Sequence, residues 1–177
     1  MTLTADVIFV SSIPFLVTFS RRIKIITTKY VPSCTAQQLA NSLTKIVNTY
    51  ARGGFVIDLA LVDMEFEKVR DKLAIIEVNT TAAREHVPEI ERQICLIKER
   101  VRCTTSDFPF DTIPRLVLIH VVYTCVMWIN DIPRKAGAVQ GVSPRELVTG
   151  RAVNYKKRLS GLYMRLRRSQ CGRNRHK

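Results

Sequence analysis

The stretch "ADVIFVSSIPFLVTFSRRIKIITT", residues 5–28, decides how this chain is read. Val, Ile, Phe and Thr crowd it, and two polar breaks, Ser11-Ser12 and Ser20-Arg21-Arg22, cut it into three runs of strand length. Pro14 stands near the start of the middle run, where a missing N–H is tolerated. The pattern predicts a meander of three short strands, with Asp6 opening the first. A sheet is therefore laid down before any helix, and the rest of the chain must add to it.

The next segment, "SCTAQQLANSLTKIVNTYARGG" (33–54), changes period. Leu39, Leu43, Ile46, Val47 and Tyr50 recur at helical spacing, Thr35 and Gln38 have the spacing of a capping box, and Gly53-Gly54 ends the run. "FVIDLALVD" (55–63) returns to alternation and predicts a fourth strand with Asp63 at its carboxyl end. A short helix over 64–73 and a short strand, "AIIEV" (74–78), complete the sheet. Helices alone follow. One starts at Pro88, with Ile90, Ile94, Ile97 and Val101 inward, and Glu91, Cys95, Lys98 and Arg102 in a parallel row one residue on. One spans about 112–130. A third is framed by Ser143-Pro144-Arg145-Glu146 and Gly150. The order predicts an α/β fold: a mixed five-stranded sheet flanked by helices.

Charge narrows the function classes. The 177 residues carry 28 Lys and Arg against 15 Asp and Glu, a net +13. Ten of those basic residues, and no acidic one, fall in 151–177. Such a block lies on a polyanion or stays disordered, and neutralising phosphates with it releases counterions, so nucleic acid is the expected partner. Five cysteines, odd in number and never in a CxxC spacing, point to neither a disulfide framework nor a zinc site. His86, His120 and His176 do not pair with them at metal-ligand spacing. No secretory signal is recognisable at the start. The longest apolar run, Leu116 to Ile129, is 14 residues, short of the roughly 20 that cross a bilayer. An intracellular protein, nuclear or cytoplasmic and without membrane partners, is expected.

The acidic residues admit a sharper reading. Two-metal phosphoryl chemistry needs carboxylates converging from different strands and from a helix on the sheet. Asp6, Asp63 and Glu91 could converge in that way, although residue pattern alone leaves each of them as an ordinary solvated charge.

Four blocks then carry a resemblance. "ADVIFVSSIPFLVTFSR" (5–21), "ALVDMEFEKVRD" (60–71), "PEIERQICLIKERVR" (88–102) and "VMWINDIPRKAGAVQGVSPRELVTGRAV" (126–153) occur in the order found in the catalytic core of copia-type retrotransposon integrases, and resemble its blocks. That resemblance implies a ribonuclease H-like fold over 1–155, with a basic tail over 156–177 beyond it. It implies DNA integration by metal-dependent strand transfer, with Mg²⁺ or Mn²⁺, two ions, as cofactor. Asp6, Asp63 and Glu91 are the implied catalytic metal ligands. Lys98 and Arg102 on the helix, and Lys156, Lys157 and Arg158 in the tail, are the expected DNA contacts. Element ends and target DNA are the implied partners, with a possible homo-oligomer. The chain departs from the family pattern at Met64-Glu65-Phe66, where glycines are usual, at Glu89-Ile90 before the Glu-Arg pair, and at Cys95 in the basic row. The interval from Asp63 is also short and would select Glu99 as the third carboxylate. The Glu-Arg pair and the helix start favour Glu91, and Glu99 stays as its competitor. No His-His-Cys-Cys cluster occurs in the sequence, which together with the tail points to a truncated copy. The alternative expectation is a catalytically inactive nucleic-acid-binding remnant of a transposable element. A third is a helical module whose 112–130 helix docks a partner.

Overall fold

The computed structural model describes residues 1–62, 66–70, 72, 77–80, 88–109, 112–135 and 137–156. Strands β1 (Thr2–Val10), β2 (Ile13–Ser20) and β3 (Ile26–Tyr30) form the expected antiparallel meander. The first strand starts earlier than expected, so Asp6 lies at its middle and not at its head. The reason is pairing on both sides: Thr2 to Ala5 pair with β4, and Leu3 onward with β2. Ser11 and Ser12 make the two-residue turn with φ of 46° and 64°. Both are left-handed, which matches the twist of a tight hairpin.

Helix α1 (Ala36–Arg52) is capped by Thr35, whose side chain accepts from the Gln38 N–H. Its expected apolar residues are all buried. Strand β4 (Leu59–Val62) is shorter than the alternation implied, and β5 (Glu77–Thr80) lies slightly beyond the predicted "AIIEV". Between them stands α2 (Glu67–Arg70), a fragment of the predicted 64–73 helix whose remaining positions fall mostly outside the described residues. Helices α3 (Pro88–Ser106), α4 (Arg115–Asp131) and α5 (Pro144–Thr149) follow. Ser143 and Glu146 close a full capping box on α5, and Gly150 ends it at φ 63°.

The sheet order is β3-β2-β1-β4-β5, with β4 parallel to both β1 and β5. Helix α1 covers one face with Leu39, Leu43, Ile46 and Tyr50 against Leu3, Ala5, Leu16, Ala60 and Val62. Helices α3 and α4 cover the other with Ile90, Ile94, Ile97, Val101 and Val122 against Ile8, Val10, Phe15 and Val17. With both faces covered, every residue of β2 is buried. That explains its unbroken apolar run.

Strand β3 is a sheet edge, and α4 satisfies part of it. Asn130 accepts from the Ile26 N–H (2.9 Å) and donates to the Ile26 carbonyl (2.6 Å), while the Tyr123 hydroxyl accepts from the Tyr30 N–H (2.9 Å). Asn130 and Ile26 are both buried. Replacing Asn130 with Ala strands two buried backbone groups and is expected to lower unfolding free energy by about 2–4 kcal/mol. Urea unfolding of the variant checks this.

Candidate functional site

Alternation along β1 sends Leu3 and Ala5 to the α1 face and Ile8 and Val10 to the α3 face. Asp6 belongs to the second set. It is partly buried, and its Oδ1 accepts from the Val7 N–H at 2.7 Å, which fixes the carboxylate rotamer. Beside it, Ala5 pairs with Val62, the last residue of β4. Asp63, next in sequence, lies outside the described residues.

Helix α3 runs over that same face. Pro88 sits in its first turn with Glu89 and Glu91, where the helix N-terminus favours negative charge. Arg21, in the β2–β3 turn, pairs with Glu89 at 2.5 Å. The buried stripe of α3 is the expected Ile90, Ile94, Ile97 and Val101, joined by Gln93. Glu91, Cys95, Lys98 and Arg102 form the exposed row along its flank.

Lys98 and Arg102 line a groove of about 590 Å³ together with Ser11, Val10, Thr105 and Thr112. This contact sets the level of the helix against the strand. From Lys98 back to Glu91 the helix descends ~10 Å, and from Val10 back to Asp6 the strand descends ~13 Å. Glu91 and Asp6 therefore both lie back from this groove, towards the start of β1 and of α3, on the α3 side of the sheet. The hydroxyls of Ser11, Thr105 and Thr112 in this groove had no signal in the sequence, because the hairpin and the helices meet only in the fold.

Glu99 is placed differently. It lines a second cleft, towards the end of α4, with Arg92, Gln93, Leu96, Arg100, Ile129 and Ile132, and Cys95 of the exposed row borders the same cleft. Glu99 lies two turns along α3 from Glu91, ~12 Å.

Among the described residues no three His, Cys, Asp or Glu side chains converge on one point. Also among them, no helix is long and apolar enough to cross a membrane. Of the expected tail contacts, Lys156 is described and exposed, whereas Lys157 and Arg158 lie outside the described residues. Cys95 is exposed. Cys125 on α4 is buried, and that burial pushes its thiol pKa up.

No protein-family model matches this chain. No curated protein matches it. Among solved structures 310 chains do. One is the catalytic core domain of BIV integrase, with a TM-score of 0.58 over 84% of this chain and 93% of that one, at 14% sequence identity. At that identity the likeness establishes the fold, a ribonuclease H-like α/β sheet of the integrase-core type.

Proposed function

We propose that the chain is an integrase-type catalytic core that transfers DNA strands for a retrotransposon, with Asp6, Asp63 and Glu91 as its acidic set. What supports this reading is the arrangement of three elements: Asp6 in the middle of β1, the end of β4 at Val62 beside Ala5, and α3, with Glu91 in its first turn, covering the sheet face to which Asp6 belongs. A solvated surface charge has no reason to occupy the centre of a central strand.

The donor set is entirely carboxylate oxygen, with one member partly buried and rotamer-fixed and another exposed. Hard oxygen ligands of this kind suit Mg²⁺ or Mn²⁺ rather than zinc or copper. A bound pair of such ions would supply Lewis-acid activation of the attacking and leaving oxygens. The chain's own part is positioning. Lys98 and Arg102 would hold phosphates along the α3 flank, so that the strand end reaches the carboxylates. The Val7 N–H holds the carboxylate of Asp6, which belongs to the α3 side of β1. In the first reaction water attacks the phosphodiester at the element end and its P–O3′ bond breaks. In the second, the freed 3′ hydroxyl attacks target DNA in line, and the displaced 3′ oxygen takes up a proton. Glu91 is favoured over Glu99 because Glu99 faces the α4 cleft and not β1.

The test is a strand-transfer assay with Mg²⁺ or Mn²⁺ and oligonucleotides bearing the element ends. Wild type is expected to form joined product and Asp6→Asn to lose it, with DNA binding kept in both. If wild type forms no product yet binds DNA with steep salt dependence, the chain is the catalytically inactive nucleic-acid-binding remnant.

A further inference from the structure

The second cleft plays no part in that chemistry. It holds about 520 Å³ between α3 and the end of α4. Its floor is apolar, built from Leu96, Ile129 and Ile132, and Ile132 is 49% exposed. Its rim is cationic, with Arg92, Arg100 and Arg134 against the single carboxylate of Glu99. Arg134 is held in place: its Nη1 donates to Oε1 of the buried Gln93 at 2.9 Å. Its Nη2 is buried and has no hydrogen-bond partner among the described residues. A buried guanidinium N–H without an acceptor is costly.

We propose that this cleft is a docking site for an acidic amphipathic peptide segment of a partner protein, with carboxylates on the three arginines and an apolar side chain against Leu96, Ile129 and Ile132. Charge complementarity selects the occupant. The chain's own 151–177 tail, with ten basic residues and no acidic one, is repelled by this rim. Duplex DNA suits the arginines but not the site. Its backbone gains nothing from the apolar floor, and Glu99 repels its phosphates. An amphipathic helix laying its apolar face into such a groove is an established recognition mode.

The test uses the full chain and a fluorescein-labelled helical peptide with Glu on one face and Leu on the other, read by anisotropy at physiological salt. A polyglutamate peptide of equal charge and a duplex oligonucleotide serve as competitors. The amphipathic peptide is expected to bind more tightly than polyglutamate. Arg92→Ala/Arg100→Ala is expected to weaken it about tenfold and Ile132→Ser several-fold, while Lys98→Ala leaves it unchanged. Arg92, Arg100 and Ile132 are exposed, so these variants should fold, and their melting curves verify it. Equal binding of the two peptides, or full binding by the double variant, would overturn the proposal in favour of attraction to the tail. Displacement by duplex whose own affinity falls in the same variants would overturn it in favour of a nucleic-acid surface. None of these readouts requires metal or strand transfer, so the result is independent of the proposed chemistry.

Discussion

Glu91→Gln is expected to lower strand-transfer product about 10³-fold, near 4 kcal/mol of barrier, while leaving melting temperature and DNA affinity close to wild type. The substitution keeps the shape of an exposed side chain in the first turn of α3 and removes only its charge. An exposed charge contributes little to stability, so the expected loss falls on the proposed chemistry. Glu99→Gln is the paired measurement. That residue lines the α4 cleft, and its loss is expected to alter product less than threefold, on the order of 0.6 kcal/mol. Product equal to wild type from Glu91→Gln would remove Glu91 from the site, and a large loss from Glu99→Gln would move the role there.

Arg145→Met is expected to lower unfolding free energy by about 3 kcal/mol at pH 7. Asp131, the last residue of α4, is fully buried, and Arg145 on α5 donates to both of its carboxylate oxygens, at 3.1 and 3.4 Å. Without Arg145 a buried charge loses its cation. The Tyr155 hydroxyl donates to the Asp131 carbonyl at 2.7 Å, so the segment from 143 to 155 hangs on the same point. The pH dependence has a definite sign. Burial raises the Asp131 pKa, against the pull of Arg145. A raised carboxyl pKa means that the folded state holds the proton more firmly than the unfolded chain, so stability falls as pH rises through the window between the two values. Losing Arg145 widens that window. The deficit of the variant is expected to shrink when urea unfolding is repeated at pH 5, where the buried carboxyl without Arg145 takes up a proton more readily. Glu146 does not confuse the reading. Backbone N–H groups of Ser143 and Val153 hold its carboxyl below the ordinary range, so its contribution is lost only at more acid pH. A deficit that stays constant with pH would show that Asp131 does not titrate with folding.

Much of the fold was legible in particular residues. Ser11-Ser12 and Ser20-Arg21-Arg22 marked the turns of the meander, Thr35 and Ser143 the helix starts, and Gly150 a helix end, because turns and caps are set by local hydrogen bonds and dihedrals. The inward stripe of α3 could be read because helical period is local too. Strand limits were less legible. The residue pattern puts Asp6 at the head of β1, yet the strand begins at Thr2 because β4 and β2 pair with its first residues, and pairing partners far along the chain leave no mark in nearby sequence. Strand β4 shrank to four residues for a related reason, since alternation extends further than the ladder that a neighbour can supply.

The acidic set shows the same division. Sequence supplied the candidates and, through the resemblance, their order. It left Glu91 and Glu99 in competition, because two glutamates on one helix look alike when only spacing is known. Which flank each occupies depends on where α3 rests, and that is fixed by Ile90, Ile94, Ile97 and Val101 seating against Ile8, Val10 and Val17. The arginine-rimmed cleft was invisible for the same reason: Arg92 and Arg100 belong to one helix, but Arg134 and Ile132 come to them only when α4 packs antiparallel alongside.

The amino-acid sequence by itself determined the kinds and order of elements, the caps and turns, the basic imbalance and the pool of carboxylates, all governed by short-range sterics, hydrogen bonding and composition. Tertiary structure alone decided which residues meet: Asp6 opposite α3, Ala5 beside the end of β4, Asn130 on the β3 edge and Asp131 under Arg145. Those contacts join residues tens of positions apart, and only the burial of two apolar faces on one sheet brings them together.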